Sequence, residues 1–275
     1  LAFIGPPPAA LAAMGSKIAA RQLAERAGVP IVPGGTPRDQ SDAALRETAA
    51  AVGYPLLVKP SEGGGGIGMK VVRELADLDA VLAAARRGLK QFGLNVAASR
   101  KTTGNHSLYE ELERALARFF QAERAVLVSN GYLTNLAVAQ ALCGEFTHAL
   151  VDVRSHASLA DAAFALEATV VPFAHRQPAD LKKQLGKLGN RTRPIVCTDG
   201  MFSHDGSAAP LAEYLAALPA NALLLVDDSH GAGVLGPAGR GTPSHCHVRD
   251  ARVIQTITLS KALGAFGGAI LGPRA

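Results

Sequence analysis

Apolar positions recur along this chain in helical and strand-like patterns whose order changes near residue 88. Over 16–27 the spacing is helical, with Lys17, Arg21 and Glu25 one turn apart and Gly28 placed to end the helix. A strand is expected at 29–32, an Ala-rich helix at 42–52 before Gly53, and a strand at 54–59 that runs into a glycine cluster. The pattern then predicts a short strand at 69–72 and a helix at 76–87 ended by Gly88. Beyond residue 89 comes a long amphipathic helix at 107–120. Apolar runs of strand length follow at 125–129, 149–152, 169–173, 194–198, 222–226 and 253–259, separated by helical stretches. Strands recurring across helices predict an α/β fold with a mostly parallel sheet covered on both faces. Residues 86–91 contain no Pro-rich or Ser-rich linker, so the division into 1–88 and 89–275 follows from the change of motif alone.

Composition agrees with a packed protein. Of 275 residues 48% are hydrophobic and 19% charged, enough to bury a sizeable core and to exclude disorder along the whole chain. The 29 Gly and 16 Pro cluster at motif positions instead of repeating, which excludes a collagenous or low-complexity chain. A net charge of +5 is mild and evenly spread, without a basic block or interleaved aromatics. This argues against a nucleic-acid surface and suits small anions. Cys143, Cys197 and Cys246 are too few and too scattered for a disulfide framework, so a cytoplasmic setting is expected. No apolar stretch reaches the roughly 18 residues that span a bilayer, so no membrane partner is expected. Leu1 and the apolar run at 267–271 close to Ala275 give both ends the look of cuts, and a fragment is expected.

Two stretches carry candidate chemistry. In LVKPSEGGGGIGMKVV, four glycines lie between two predicted strands, the first of which carries Lys59. Glycines let backbone N–H groups approach phosphate oxygens, and a neighbouring lysine supplies a point charge for them. A flexible hairpin is the alternative reading. The second stretch is a series. Thr258-Leu259-Ser260-Lys261 places a lysine after an apolar strand among small residues, where partial desolvation lowers an amine's pKa and suits it to Schiff-base formation; a solvated loop lysine is the alternative. LLLVDDSHGAGVLG sets Asp227, Asp228 and His230 at the end of a buried strand, where open α/β sheets hold their ligands. An acid there needs a cationic partner such as a pyridinium nitrogen, unless Asp227 or Asp228 caps a following helix. Ser203 and His156 each follow a predicted strand, and an imidazole at His156 could stack on an aromatic cofactor or be an ordinary packed residue. VLVSNGYLTN, with Gly131 and Tyr132, joins a strand to a helix start, a phosphate-binding geometry. His245-Cys246-His247 lies in a loop after Pro243 with no second ligand cluster, so it reads as surface, and no metal site is expected.

Through FIGPPPAALAAMGSKIAARQLAERAGVPIVPG and VGYPLLVKPSEGGGGIGMKVV, residues 3–88 resemble the ATP-grasp region of biotin carboxylases. That resemblance implies that Lys17 and Lys59 contact ATP and that Gly63, Gly64, Gly65, Gly66 and Gly68 form a lid over its phosphates, with Mg2+ as the companion ion. The later half of such a site, with its metal-binding carboxylates, has no counterpart after residue 88. Residues 93–275 resemble the α-oxoamine synthases, fold type I pyridoxal-phosphate (PLP) enzymes. The resemblance implies that Lys261 bonds the cofactor and that Asp227 faces its ring nitrogen. It places His230 and Ser203 near the phenolic oxygen, His156 on the ring, and Gly131, Tyr132 and Thr258 at the phosphate. It further implies a homodimer that condenses an amino acid with an acyl-CoA. The large domain is expected to be truncated at its C-terminus and its turnover impaired, with an ATP-dependent ligase fragment or a non-catalytic chimera as rival readings.

Overall fold

In the computed structural model, residues 17–35, 37, 39–58, 70–92, 99–189 and 191–273 are described. The chain forms two compact units, Leu1–Ala97 and Ala98–Ala275.

The first unit contains α1 (Lys17–Arg26), α2 (Asp42–Val52), β1 (Leu56–Val58), β2 (Lys70–Val72) and α3 (Leu75–Phe92). Ser41 caps α2 by accepting from the Ala44 N–H, and Gly53, at φ 85°, ends it where the sequence places the stop. β1 and β2 pair antiparallel, and Val72, Ala49 and Leu78 form a small core with Leu56 and Val58. Two expectations fail here. Residues 29–32 form no strand: Arg21 donates to the carbonyls of Val32 and Gly34, which leaves this segment as an extended loop with Val32 exposed. The last helix does not stop at Gly88 but continues to Phe92, since a glycine inside a helix costs only about 1 kcal/mol relative to alanine. Lys17 opens α1, but its side chain lies outside the described residues, as do Lys59, Gly63, Gly64, Gly65, Gly66 and Gly68.

The second unit is built on a seven-stranded sheet. Its elements run α4 (Ser107–Phe120), β3 (Arg124–Val128), α5 (Gly131–Ala141), β4 (His148–Asp152), α6 (Ala157–Ala165), β5 (Thr169–Phe173), α7 (Pro178–Gly186), β6 (Pro194–Asp199), α8 (Leu211–Ala217), β7 (Leu223–Asp227), α9 (Thr242–His245), β8 (Val253–Thr258) and β9 (Gly268–Gly272). The strand order is β3-β9-β8-β7-β6-β4-β5, and β9 alone runs against its neighbours. Alternation along each strand sends side chains to two cores. Leu150, Val196, Leu224 and Val226 pack against Leu181, Leu211 and Tyr214 of α7 and α8. Ala149, Val151, Ile195, Cys197 and Leu225 pack against α5 and α6 through Val138, Leu159 and Ala162. Both faces are therefore covered, as the recurring apolar runs predict. The parallel strands β4, β6, β7 and β8 consequently deliver their C-terminal ends, and the loops after them, to one edge of the sheet.

Candidate active site

The site grows from three strand ends. Asp227 is the last residue of β7 and is buried, with its carboxylate held from three sides. Its Oδ1 accepts from the Ser229 N–H at 3.0 Å. Its Oδ2 accepts from Asn135 Nδ2 at 2.6 Å and from Ser158 Oγ at 3.5 Å. Asn135 lies on α5 and is fixed in turn by Thr256 of β8, whose hydroxyl donates to its Oδ1 at 2.7 Å. These donors are neutral, so the buried carboxylate is hydrogen-bonded but has no cationic partner among them.

Lys261 follows β8 in a turn closed by the Gly264 N–H donating to the Lys261 carbonyl. Its Nζ lies 2.7 Å from Nε2 of His230. Although Lys261 reaches solvent, the groups crowding its amine strip away enough water to lower its pKa, against the opposing pull of Asp227 and Asp199. His230 is also pushed down, by burial first and then by the Lys261 charge. Both shifts run in the direction that eases loss of a proton from the pair. Gly233, with φ 83°, allows this approach: a Cβ there would come within 2.5 Å of the Ala262 Cβ, next to the lysine.

His156 caps α6, accepting from the Ser158 N–H through Nδ1, while its own N–H donates to Asp199 Oδ1 at 3.0 Å. The Asp199 carboxyl is pushed up to about 7, mainly by burial and further by the charges of Asp227 and Asp152. Tyr132 stands edge-on to the His156 ring at 6.1 Å and donates to Asp161. At the start of α5, a Cβ on Gly131 would strike Thr258 at 2.6 Å, and Thr258 Oγ1 lies 2.8 Å from Ser260 Oγ. Gly131, Thr258 and Ser260 thus crowd around a helix N-terminus whose Leu133 N–H is capped by Asn130. Ser203 stands exposed in the turn after β6, and no hydrogen bond joins it to Lys261, His230 or Asp227.

Asp228 points away from this cluster. It is fully buried; its Oδ2 accepts from the Thr242 N–H and Gln255 Nε2, and its Oδ1 accepts from the Thr242 hydroxyl. It therefore caps α9 from across the loop, the role left open for either acid, while Asp227 is free of it. Three glycines make room: a Cβ at Gly200, Gly231 or Gly241 would come within 2.4 Å of the carboxylate. Burial pushes its pKa up to about 7. Between about pH 4 and 7 the folded chain holds a proton that an unfolded aspartate has released, so stability should fall as pH rises through that window, by up to about 4 kcal/mol. In Asp228→Asn, Oδ1 can take both N–H donors while Nδ2 donates to the Thr242 hydroxyl. Denaturant midpoints across pH 4.5–8 should show the variant gaining on wild type as pH rises; a pH-independent difference would contradict this.

The sequence pattern of the aminotransferase class I and II family matches residues 72–275, and the chain belongs to that family. An 8-amino-7-oxononanoate synthase of Thioalkalivibrio sulfidiphilus is 41% identical over 203 residues, 73% of this chain and 52% of that protein. Serine palmitoyltransferase of Sphingomonas wittichii superposes with a TM-score of 0.65 at 34% identity, over 70% of this chain and 49% of that one. The S. paucimobilis serine palmitoyltransferase, solved with PLP and myriocin bound, gives 0.66 at 32% identity over 71% and 49%. The chain thus spans about half the length of the relatives it matches. The carbamoyl-phosphate synthase L chain ATP-binding domain matches residues 16–127, running past residue 88 and into the range of the first match. Among the described residues no helix is long and apolar enough to cross a membrane.

Proposed function

We propose that residues 89–275 form the large domain of a PLP-dependent acyltransferase of the α-oxoamine synthase type, condensing an amino acid with an acyl-CoA in a cytoplasmic homodimer. Residues 1–88 are proposed as a partial ATP-grasp segment. The observation that carries the reading is that Lys261, paired with His230 at 2.7 Å, and the buried carboxylate of Asp227 follow or end two adjacent parallel strands. When bound, PLP supplies an electron sink for the carbanion of an amino acid. Asp227 would keep the ring nitrogen protonated, and Asn135 and Ser158 hold that carboxylate in place. Lys261 would bond the cofactor and move protons at the amino-acid carbon, with His230 taking or returning a proton at Nζ. His156 would pack on the ring, held there by Asp199. Gly131, Tyr132 and Thr258 would hold the phosphate at the start of α5, and Ser203 would reach the phenolic oxygen.

The test is CoA release over Gly, Ala, Ser and Thr with several acyl-CoAs. Slow, amino-acid-dependent release above that of Lys261→Ala supports the reading; release equal to that background in a folded, PLP-loaded protein contradicts it.

The match over 16–127 favours a second reading, ATP binding at the N-terminal segment. Residues 1–88 supply the glycine cluster with Lys17 and Lys59 but only part of an ATP-grasp unit, which leaves the metal ligands and the adenine pocket to an opposing half. Calorimetry with ATP and Mg2+ should therefore show no micromolar binding. Micromolar affinity lost on Lys59→Ala would overturn this expectation and support the ligase reading.

A further inference from the structure

At the β5 side of the sheet, His175, His204 and Asp205 bring one ligand atom each within 4.8 Å of one another. Hydrogen bonding assigns the roles. His175 Nδ1 faces Asp152 Oδ1 at 3.0 Å, and Asp152 is buried, held in addition by donation from the Arg154 and Arg176 N–H groups. The carboxylate therefore orients the ring, favours the Nδ1–H tautomer and leaves the Nε2 lone pair outward. That Nε2 is itself buried and has no hydrogen-bond partner. A carboxylate behind one nitrogen and a bare lone pair on the other is the arrangement that ligating histidines adopt. The Phe202 ring packs edge-on against His175 at 4.4 Å and limits its rotation.

His204 Nε2 and Asp205 Oδ2 are 3.3 Å apart. Ligand atoms around a tetrahedral zinc ion, at about 2.0–2.1 Å from it, stand roughly 3.3 Å from one another. Asp205 Oδ1 accepts from the Ser207 N–H at 2.9 Å, which steadies the carboxylate within its turn. One group competes: Arg154 Nη1 lies 3.0 Å from His204 Nε2 and uses the lone pair that an ion would use. Arg154, His204 and Asp205 are all exposed, so rotations of their side chains can exchange the guanidinium for an ion without moving the sheet.

We propose that His175 Nε2, His204 Nε2 and Asp205 form a surface site for a borderline divalent cation, zinc above all, with water completing a tetrahedral shell. Two imidazoles and one carboxylate suit zinc better than magnesium or calcium, which favour all-oxygen sets. The expectation that the chain carries no metal site rests on the spacing of His245-Cys246-His247. This site draws instead on two loops, one after β5 and one after β6, whose ligands are 29 residues apart in the chain.

The experiment is titration of the full, untagged, PLP-loaded chain with ZnCl2 in phosphate-free buffer, measured by calorimetry and by competition with a chromogenic chelator. Wild type should bind one zinc at this site. His204→Ala and Asp205→Asn, both on an exposed turn, should each weaken that affinity by about tenfold or more. Arg154→Ala should strengthen it several-fold, an effect that a cluster of purely structural hydrogen bonds does not produce. His247→Ala controls for the other histidine loop and should leave affinity unchanged. Unaltered affinity in His204→Ala and Asp205→Asn, loss of the site in His247→Ala instead, or no zinc bound by wild type would each overturn the proposal.

Discussion

Replacing Lys261 with alanine should abolish the visible absorption band that the wild-type chain acquires on addition of PLP, while leaving the protein folded. The lysine is exposed and its side chain makes one hydrogen bond, to His230. Its loss should therefore change stability by no more than about 0.5 kcal/mol, the range of ordinary surface substitutions. The amine, by contrast, has no substitute: its lowered pKa and its place beside His230 depend on this one position. Lys261→Arg keeps a positive charge but offers no amine able to bond the cofactor, and it should lack the band as well. A titration by absorbance, with the thermal midpoint recorded on the same samples, separates lost bonding from lost folding. A band that persists in Lys261→Ala at wild-type intensity would place the bonded lysine elsewhere.

Asp227→Asn should produce the second-largest effect, and it too should spare the fold. An amide at 227 can keep its oxygen toward the Ser229 N–H and turn its NH2 toward Asn135. Asn135 then flips its own amide, and Thr256, whose hydroxyl also lies 3.4 Å from the Val226 carbonyl, accepts where it formerly donated. Every buried polar group keeps a partner, so little stability is lost. What disappears is the carboxylate that would keep the cofactor's ring nitrogen protonated. Losses of a single preorganised electrostatic group of this kind are on the order of 100- to 1,000-fold in rate. Amino-acid-dependent CoA release should fall by that factor with the thermal midpoint nearly unchanged. A drop in rate that tracks a drop in stability would show Asp227 to be a structural residue.

The sheet was legible because its evidence is local. The runs at 149–152, 169–173, 194–198 and 253–259 contain residues that point to two separate cores, so apolar residues dominate them, although Gln255, Thr256 and Thr258 interrupt the last, and each begins or ends within one or two residues of β4, β5, β6 or β8. β9 was not read as a strand. Its Gly268 and Gly272 weaken the pattern, yet Gly268 is required there, because a Cβ would press against the Asn130 carbonyl at 2.8 Å as β9 inserts between β3 and β8. Lys261, Asp227 and His230 were legible from motifs at strand ends. Their supports were not: Asn135 reaches Asp227 across 92 residues and Thr256 reaches Asn135 across 121, and no spacing along the chain signals either contact. Asp228 showed itself as an acid beside an acid, but only the fold sends one carboxylate toward the site and the other into a pocket lined by Gly200, Gly231 and Gly241. His175 and His204 were passed over for the same reason, since each is a lone histidine in sequence.

The most direct test of the cofactor site is to load the wild-type chain with PLP, reduce it with borohydride so that the cofactor becomes permanently attached to the amine it is bonded to, and map the modified peptide by mass spectrometry. The site described here predicts one stoichiometric modification, on Lys261. Modification spread over other lysines, or none in a folded protein, would contradict it.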